Sequence, residues 1–278
     1  MKTLVVIQAR TGSTRLPGKV MMPLAGKPLL QRMVERLRLA ETPTELLVAT
    51  TLEPGDNQIR DLCKEIGVKC FNGHATDLLD RHYKAALSER ADVIVKIPSD
   101  CPLIDPEVVD RVIGFYLDNY RSYDYVSNLH PPTWPDGQDV EVLPVNMLEV
   151  AWREARPGFE REHTTPFIWE RPRWFRLGNV SWESGRDYSM THRWTIDYPE
   201  DYALISAIYE ALWRPENQGF GTDEILNYLE EHPEVAVLNR NHVGVNWYRN
   251  HLDALKTIHP SMTRSHDTAT LEPRLSKV

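Results

Sequence analysis

Apolar and polar positions alternate along the chain on two periods, most clearly before residue 120. Residues 3–7 (TLVVI), 46–50 (LLVAT), 68–71 (VKCF) and 92–97 (DVIVKI) are short apolar runs, which predicts strands buried on both faces. Segments with helical spacing lie between them. In 28–40, Leu29, Leu30, Met33, Val34 and Leu37 share one face and Pro28 falls in the first turn. Helices are also predicted near 56–66, 75–91 and 106–119. This alternation predicts an α/β architecture, a mainly parallel sheet covered by helices, whose ligands gather at the carboxyl ends of the strands.

The second half is less regular. Strands are predicted at 123–128, 140–145, 174–180 and 191–196, and helices at 146–155, 160–170, 199–213 and 222–232. Beyond residue 258 the sequence HPSMTRSHDTATLEPRLSKV has little apolar content and reads as a flexible tail over 259–278. The rest, 1–258, reads as a single domain. Residues 240–258 fit either dimerisation or closure of a pocket.

Composition narrows the class. Of 278 residues, 41% are hydrophobic and 26% charged, ordinary values for a globular enzyme, and the formal net charge is −8. An acidic chain of this kind has no general attraction for nucleic acid or anionic membrane, so any anion site must be built locally. Cys63, Cys70 and Cys101 are odd in number and lack C-x-x-C spacing, which predicts reduced thiols and a cytoplasmic protein. The apolar run before Gln8 is too short for a signal peptide, and no run is long enough to span a membrane.

The local anion site has one clear candidate. The first predicted strand leads into QARTGSTRLPGK (8–19), which carries Arg10, Arg15 and Lys19. It is not a Walker A loop: five residues separate Gly12 from Gly18, and Val20 stands where the metal-binding hydroxyl belongs. No G-x-G-x-x-G follows the strand either. A phosphate cradle and a solvated basic loop both remain open on residue types alone. Asp100, just beyond the strand 92–97, is either a divalent-cation ligand or a turn aspartate. Asp105 reads as a helix N-cap before Pro106, and Glu200 and Asp201 as acidic residues in a first helical turn. Cys101 has no local histidine partner, and no zinc spacing occurs. The Trp134-Pro135-Asp136-Gly137 turn would project Asp136, Gln138 and Glu141.

Q-A-R-x-G-S-T-R-L-P-G-K resembles the N-terminal loop of the cytidylyltransferases that activate sugar acids. Within them it is most similar to the spore coat polysaccharide biosynthesis protein F family. DLLDRHYKAA (77–86), VIVKIPSDCPLID (93–105), EREHTTPFI (160–168) and RWTIDYPEDYALI (193–205) support the resemblance in the right order. It implies a three-layer nucleotide-diphospho-sugar transferase fold, with a nucleotide-binding half over about 1–120 and an acceptor and dimerisation half over about 121–258. It also implies Mg²⁺-dependent transfer of CMP from CTP to a small acidic sugar-like acceptor, with release of pyrophosphate, by a homodimer. Carried over, Arg10, Arg15 and Lys19 would neutralise the triphosphate with Gln8, Ala9, Gly12 and Ser13 around it. Asp77, Arg81 and Ser99 would lie near the nucleotide. Asp100 and Asp197 would hold the metal, and Arg161 and His163 would join Asp136, Gln138 and Glu141 at the acceptor.

One departure leaves the acceptor open. The sugar-acid enzymes carry a glutamine in the stretch matching Pro98-Ser99-Asp100-Cys101-Pro102, and this chain does not. A phosphorylated or phosphonate acceptor, or another NTP, is therefore an alternative. A nucleotide-sugar-dependent glycosyltransferase of related fold is another, although the strand end reads Asp100-Cys101-Pro102 rather than D-x-D. A noncatalytic interaction module fits poorly with a cationic loop and two strand-end aspartates in an acidic chain.

Overall fold

In the computed structural model, which describes residues 1–264 except Pro43 and Pro157, the apolar runs pair into one seven-stranded sheet. Strand β1 (Thr3–Gln8) lies inside it, between β4 (Glu45–Thr51) and the central β6 (Val93–Pro98), and β5 (Lys69–Gly73) pairs with β4. All four run parallel. Beyond β6 come β8 (Glu141–Pro144), β7 (Tyr125–Ser127) and β9 (Leu177–Asn179), and β8 is antiparallel to both of its neighbours. Two short strands, β2 (Pro23–Leu24) and β3 (Lys27–Pro28), form a separate hairpin. The expected mainly parallel mixed sheet is present.

Side chains alternate between two buried layers, as strand geometry requires. Val5, Ile7, Val48, Val95 and Ile97 point to one face. There they meet α1 (Leu29–Leu37), α2 (Asn57–Glu65), α4 (Pro106–Asn119), α8 (Pro199–Leu212) and α9 (Thr222–Glu231). On the other face, Ile94, Tyr125 and Leu143 meet α3 (Leu78–Glu89), α5 (Val145–Glu154) and α7 (Pro166–Trp169). Both faces are apolar because both are covered. The three cysteines are free thiols. Among the described residues, no helix is long and apolar enough to cross a membrane.

Three expectations change. Residues 191–196 form no strand: their amides bond single loop residues, Trp194 N–H to Asp136 O at 2.6 Å and Ile196 N–H to Asp100 O at 2.8 Å. The helix expected at 160–170 is two, α6 (Gly158–His163) and α7, because Thr164 adopts φ 75° and Pro166 cannot continue the ladder. Residues 259–264, expected within the tail, form a turn at Pro260–Met262 with Thr263 buried, and Arg264 N–H bonds Gly244 O at 2.7 Å. The remainder of the expected tail, 265–278, lies outside the described residues.

Candidate active site

Because β1 and β6 pair in parallel with Gln8 opposite Pro98, the loops that follow them leave the same sheet edge side by side. Chain order reverses here, since β4 lies on one side of β1 and β6 on the other, which opens a crevice. The first loop is held by its own backbone. Thr11 O accepts from Ser13 N–H at 2.9 Å and Gly18 N–H at 2.8 Å, and Gly18 takes φ 72°, where a β-carbon is disfavoured. Asp56, buried in the turn before α2, accepts from both the N–H and the Oγ1 of Thr11 at 2.7 Å.

This scaffold aims Lys19 and Arg15 at two carboxylates. Lys19 Nζ lies 3.1 Å from Asp100 Oδ2 and 3.0 Å from Asp197 Oδ1, and it also donates to Ile196 O. Arg15 Nη2 approaches Asp197 Oδ1 to 2.6 Å. The other oxygen, Oδ2, accepts from Arg193 Nη2 at 2.9 Å. Burial pushes the Asp197 carboxyl up, but Lys19, Arg15 and Arg193 outweigh it and hold it well below the usual carboxylate range. Burial likewise opposes the charge on Lys19, and Asp100 and Asp197 more than restore it. Arg10 Nη1 donates to Ala75 O at 3.2 Å beside buried Arg81, which grips the carbonyls of His74 and Ala75.

A cavity of about 440 Å³ extends from these cations past Asp100 to a wall of different chemistry. Lys96 and Glu141 stand opposite each other across β6 and β8 and form a buried ion pair. Glu141 also accepts from Tyr125 Oη at 2.7 Å and from Thr165 Oγ1; burial pushes its carboxyl up, but Lys96, and after it these two donors, hold it low. The His163 ring stacks on Trp247 at 3.7 Å, and His130 packs against Trp169 at 4.4 Å. Burial pushes His163 down to about 3 and His130 to about 4, so both rings are neutral near pH 7. Asp136 and Asp139 are pushed up to about 7 and about 6, again chiefly by burial, with neighbouring carboxylates adding to it.

Arg193 joins the two ends. It is buried and bonds Asp136 (3.1 Å), Asp197 (2.9 Å), Asp201 (3.0 Å) and Val245 O (2.8 Å). Gly137 allows this approach: at φ 116°, a β-carbon there would lie 2.7 Å from the Trp194 carbonyl carbon.

Of the residues singled out from sequence, Gln8, Ala9, Arg10, Ser13, Arg15, Lys19, Arg81, Ser99, Asp100, Asp136, Gln138, Glu141, His163 and Asp197 line this cavity. Gly12, Asp77 and Arg161 do not. Asp77 caps α3 by accepting from Asp80 N–H at 2.9 Å, and it pairs with Arg161 at 2.6 Å. That pair ties the start of α3 to α6 outside the cavity lining. Gly12 is exposed, and Ser13 N–H bonds Thr11 O. Gln138 reaches the wall, but its amide is committed to Asp105 N–H and Leu103 O. Glu141 is likewise committed, to Lys96, Tyr125 and Thr165.

Lys96, Asp139, Arg193 and Tyr198 also line the cavity and were not identified from sequence; residues 244–249 line it too, within the stretch 240–258 expected to serve either dimerisation or closure of a pocket. Lys96 left one signal, a single charge inside an otherwise apolar strand. Asp139 left another, two residues before Glu141 in DGQDVEV. The segment 244–249 has no local signature.

The sequence profile of a family described as cytidylyltransferase matches residues 4–260. A spore coat polysaccharide biosynthesis protein of Bacillus subtilis is 32% identical over 84% of this chain and 96% of its own length. A solved cytidylyltransferase from Leptospira borgpetersenii superposes with a TM-score of 0.80 at 32% identity, covering 85% of this chain and 97% of that one. A CMP:2-keto-3-deoxy-manno-octonic acid synthetase solved with CTP shares the fold at 18% identity, with a TM-score of 0.58, over 76% of this chain and 99% of that one. The chain belongs to the cytidylyltransferase family.

Proposed function

We propose that this member of the cytidylyltransferase family transfers CMP from CTP to a sugar-acid-like acceptor in the cytoplasm, with Mg²⁺ and with release of pyrophosphate, toward a surface polysaccharide. The observation that carries this reading is the convergence of Arg15 and Lys19 on Asp100 and Asp197, with Arg10 on the same wall, at the mouth of a cavity whose far end is aromatic.

The cations of the loop rest on carboxylates in this structure. A triphosphate competes for them: Lys19 and Arg15 transfer to phosphate oxygens, and Asp100 and Asp197 are released. The donor set then suits magnesium, which takes one or two carboxylates together with phosphate oxygens. Lys19 Nζ sits within 3.1 Å of both carboxylates, which supports one cation between them. When bound, Mg²⁺ supplies Lewis-acid neutralisation of the phosphate oxygens.

The remaining work falls to the chain. Arg10, Arg15 and Lys19 stabilise charge on the α-phosphorus oxygens and on departing pyrophosphate. Thr11 and Asp56 fix the loop that carries them. An acceptor hydroxyl forms the new oxygen–phosphorus bond as the α–β phosphoanhydride breaks. Asp139 faces the cavity with one bond, from Gly137 N–H at 3.3 Å, and is placed to take the hydroxyl proton. The aromatic wall, neutral His130 and neutral His163 bind and orient the acceptor.

The test is pyrophosphate release by purified protein with Mg²⁺, each of the four NTPs, and a panel of sugar acids and sugar phosphates. CTP-dependent release with a sugar acid supports the proposal. Release only with another NTP, or nucleotide formation from a nucleotide-sugar without pyrophosphate, would sink it.

A further inference from the structure

Buried side-chain polar atoms are almost always hydrogen-bonded, so those that are not call for a ligand or a water. Among the described residues, two such atoms belong to side chains on the cavity wall. Gln8 Oε1, an acceptor, stands at the nucleotide end. Arg249 Nη1, a donor, stands in the segment 244–249, beside Tyr198.

Arg249 is held in place without being neutralised. It lies in the turn Trp247–Asn250, capped by Asn246, whose side-chain oxygen accepts from Tyr248 N–H at 3.1 Å. Asn246 Nδ2 donates to Met262 O at 2.9 Å, Val245 O accepts from Arg193, and Trp247 stacks on His163. The guanidinium itself makes one bond, Nη2 to Tyr198 Oη at 3.4 Å, and no carboxylate lies within ion-pair distance of it among the described residues. The other arginines of the cavity have partners: Arg15 and Arg193 are on carboxylates, and Arg10 and Arg81 are on backbone carbonyls. Lys96 has Glu141. An arginine fork left without an anion in a cavity matches a planar or tetrahedral oxyanion.

We propose that Arg249 is the receptor for an anionic substituent of the acceptor, a carboxylate, phosphate or phosphonate held by charge-assisted hydrogen bonds. The inference rests on the cytidylyltransferase reading for the word acceptor, but not for the anion site itself. Arg10, Arg15 and Lys19 already serve the triphosphate, and Arg249 stands beside them across one tyrosine: Arg15 lies over the Tyr198 ring at 5.5 Å while Arg249 meets its hydroxyl. Its immediate chain neighbours Trp247 and Tyr248 belong to the aromatic wall.

The test uses the full chain with saturating CTP and no divalent cation, so that no turnover occurs and the phosphate loop is filled. Gluconate, glucose 6-phosphate and glucose are then titrated, and tryptophan fluorescence is read, since Trp247 and Trp169 border the site. At least one anionic probe is expected to bind tenfold or more tightly than glucose, and whichever does identifies the oxyanion. In Arg249→Met that advantage is lost, while glucose binding and CTP affinity stay within twofold. Arg249→Lys, which keeps the charge but not the fork, falls between and guards against misfolding of the Met variant. The proposal is overturned if neither anion outbinds glucose in the wild type. It is equally overturned if Arg249→Met leaves the advantage intact or weakens CTP instead. Failure of the wild type to bind CTP speaks against the nucleotidyltransferase reading alone, because the same three titrations on the nucleotide-free protein still report on Arg249.

Discussion

The two ends of the cavity are built by opposite strategies. The phosphate end comes mainly from one contiguous loop, with Arg10, Arg15 and Lys19 within ten positions of each other, fixed by its own backbone and by Asp56. The acceptor end is assembled from β6, β8, the α6–α7 junction and residues 244–249, and no two of its main groups are neighbours in sequence except within the last segment. The first end is charged, and its cations are paired with carboxylates that a substrate can displace. The second carries aromatic rings, neutral histidines, the buried Lys96–Glu141 pair and Arg249, which has no carboxylate within ion-pair distance among the described residues. Affinity for a polyphosphate can be written into a short local motif. The proposed acceptor wall, by contrast, needs the whole fold to assemble.

Arg193 is where the contrast can be broken, because it touches both ends. Arg193→Met leaves Asp136, Asp197 and Asp201 without their buried cation, and a loss of about 3–5 kcal/mol in urea unfolding is expected. A smaller effect than any surface arginine gives would remove Arg193 as the joint. Next is Lys19→Met, which strikes only the phosphate end. A fall of about 10²–10³-fold in kcat/KM is expected, with the KM for acceptor little changed. Comparable damage to both substrates would erase the division between the ends.

Asp56→Ala acts one step further out, through Thr11. Its expected signature is a loss of about tenfold in kcat/KM for CTP, near 1.4 kcal/mol, with the chemistry of bound substrate preserved. Trp247→Ala is the mirror image at the acceptor end: a severalfold rise in the KM for acceptor, measured at saturating CTP, with CTP binding intact. The smallest effect is on pH dependence. His82 is fully buried beneath the α6–α7 junction, its Nδ1 2.7 Å from Leu78 O, and burial pushes its pKa down to about 3. The unfolded chain takes up that proton near pH 6.5, so stability is fully present above 6.5 and lost as pH falls from there toward 3. His82→Gln should flatten the melting-temperature profile over that window, and an unchanged slope would show that His82 is not its source.

Most of the phosphate end was legible in the sequence because its causes are local. A strand ends, a basic loop turns back through Gly18, and two later strand-like runs end in aspartates. Arg161 and Asp77 lie in motif-like surroundings, and only the fold shows that they bond each other across 84 residues. One local signal misled. The 191–196 run has a strand's composition, yet no free sheet edge reaches it, so its amides bond the 100 and 136 loops instead.

Periodicity and charge thus determined a layered α/β fold, the placing of a cationic loop at a strand end, and the reduced state of the thiols. Tertiary structure alone decided that Lys96 meets Glu141 across 45 residues, that Arg193 meets Asp136 across 57, and that Trp247 covers His163. The reason is physical. Spacing along a chain encodes which face a side chain takes within its own element, whereas partnership between elements depends on register and crossover, which no single segment contains.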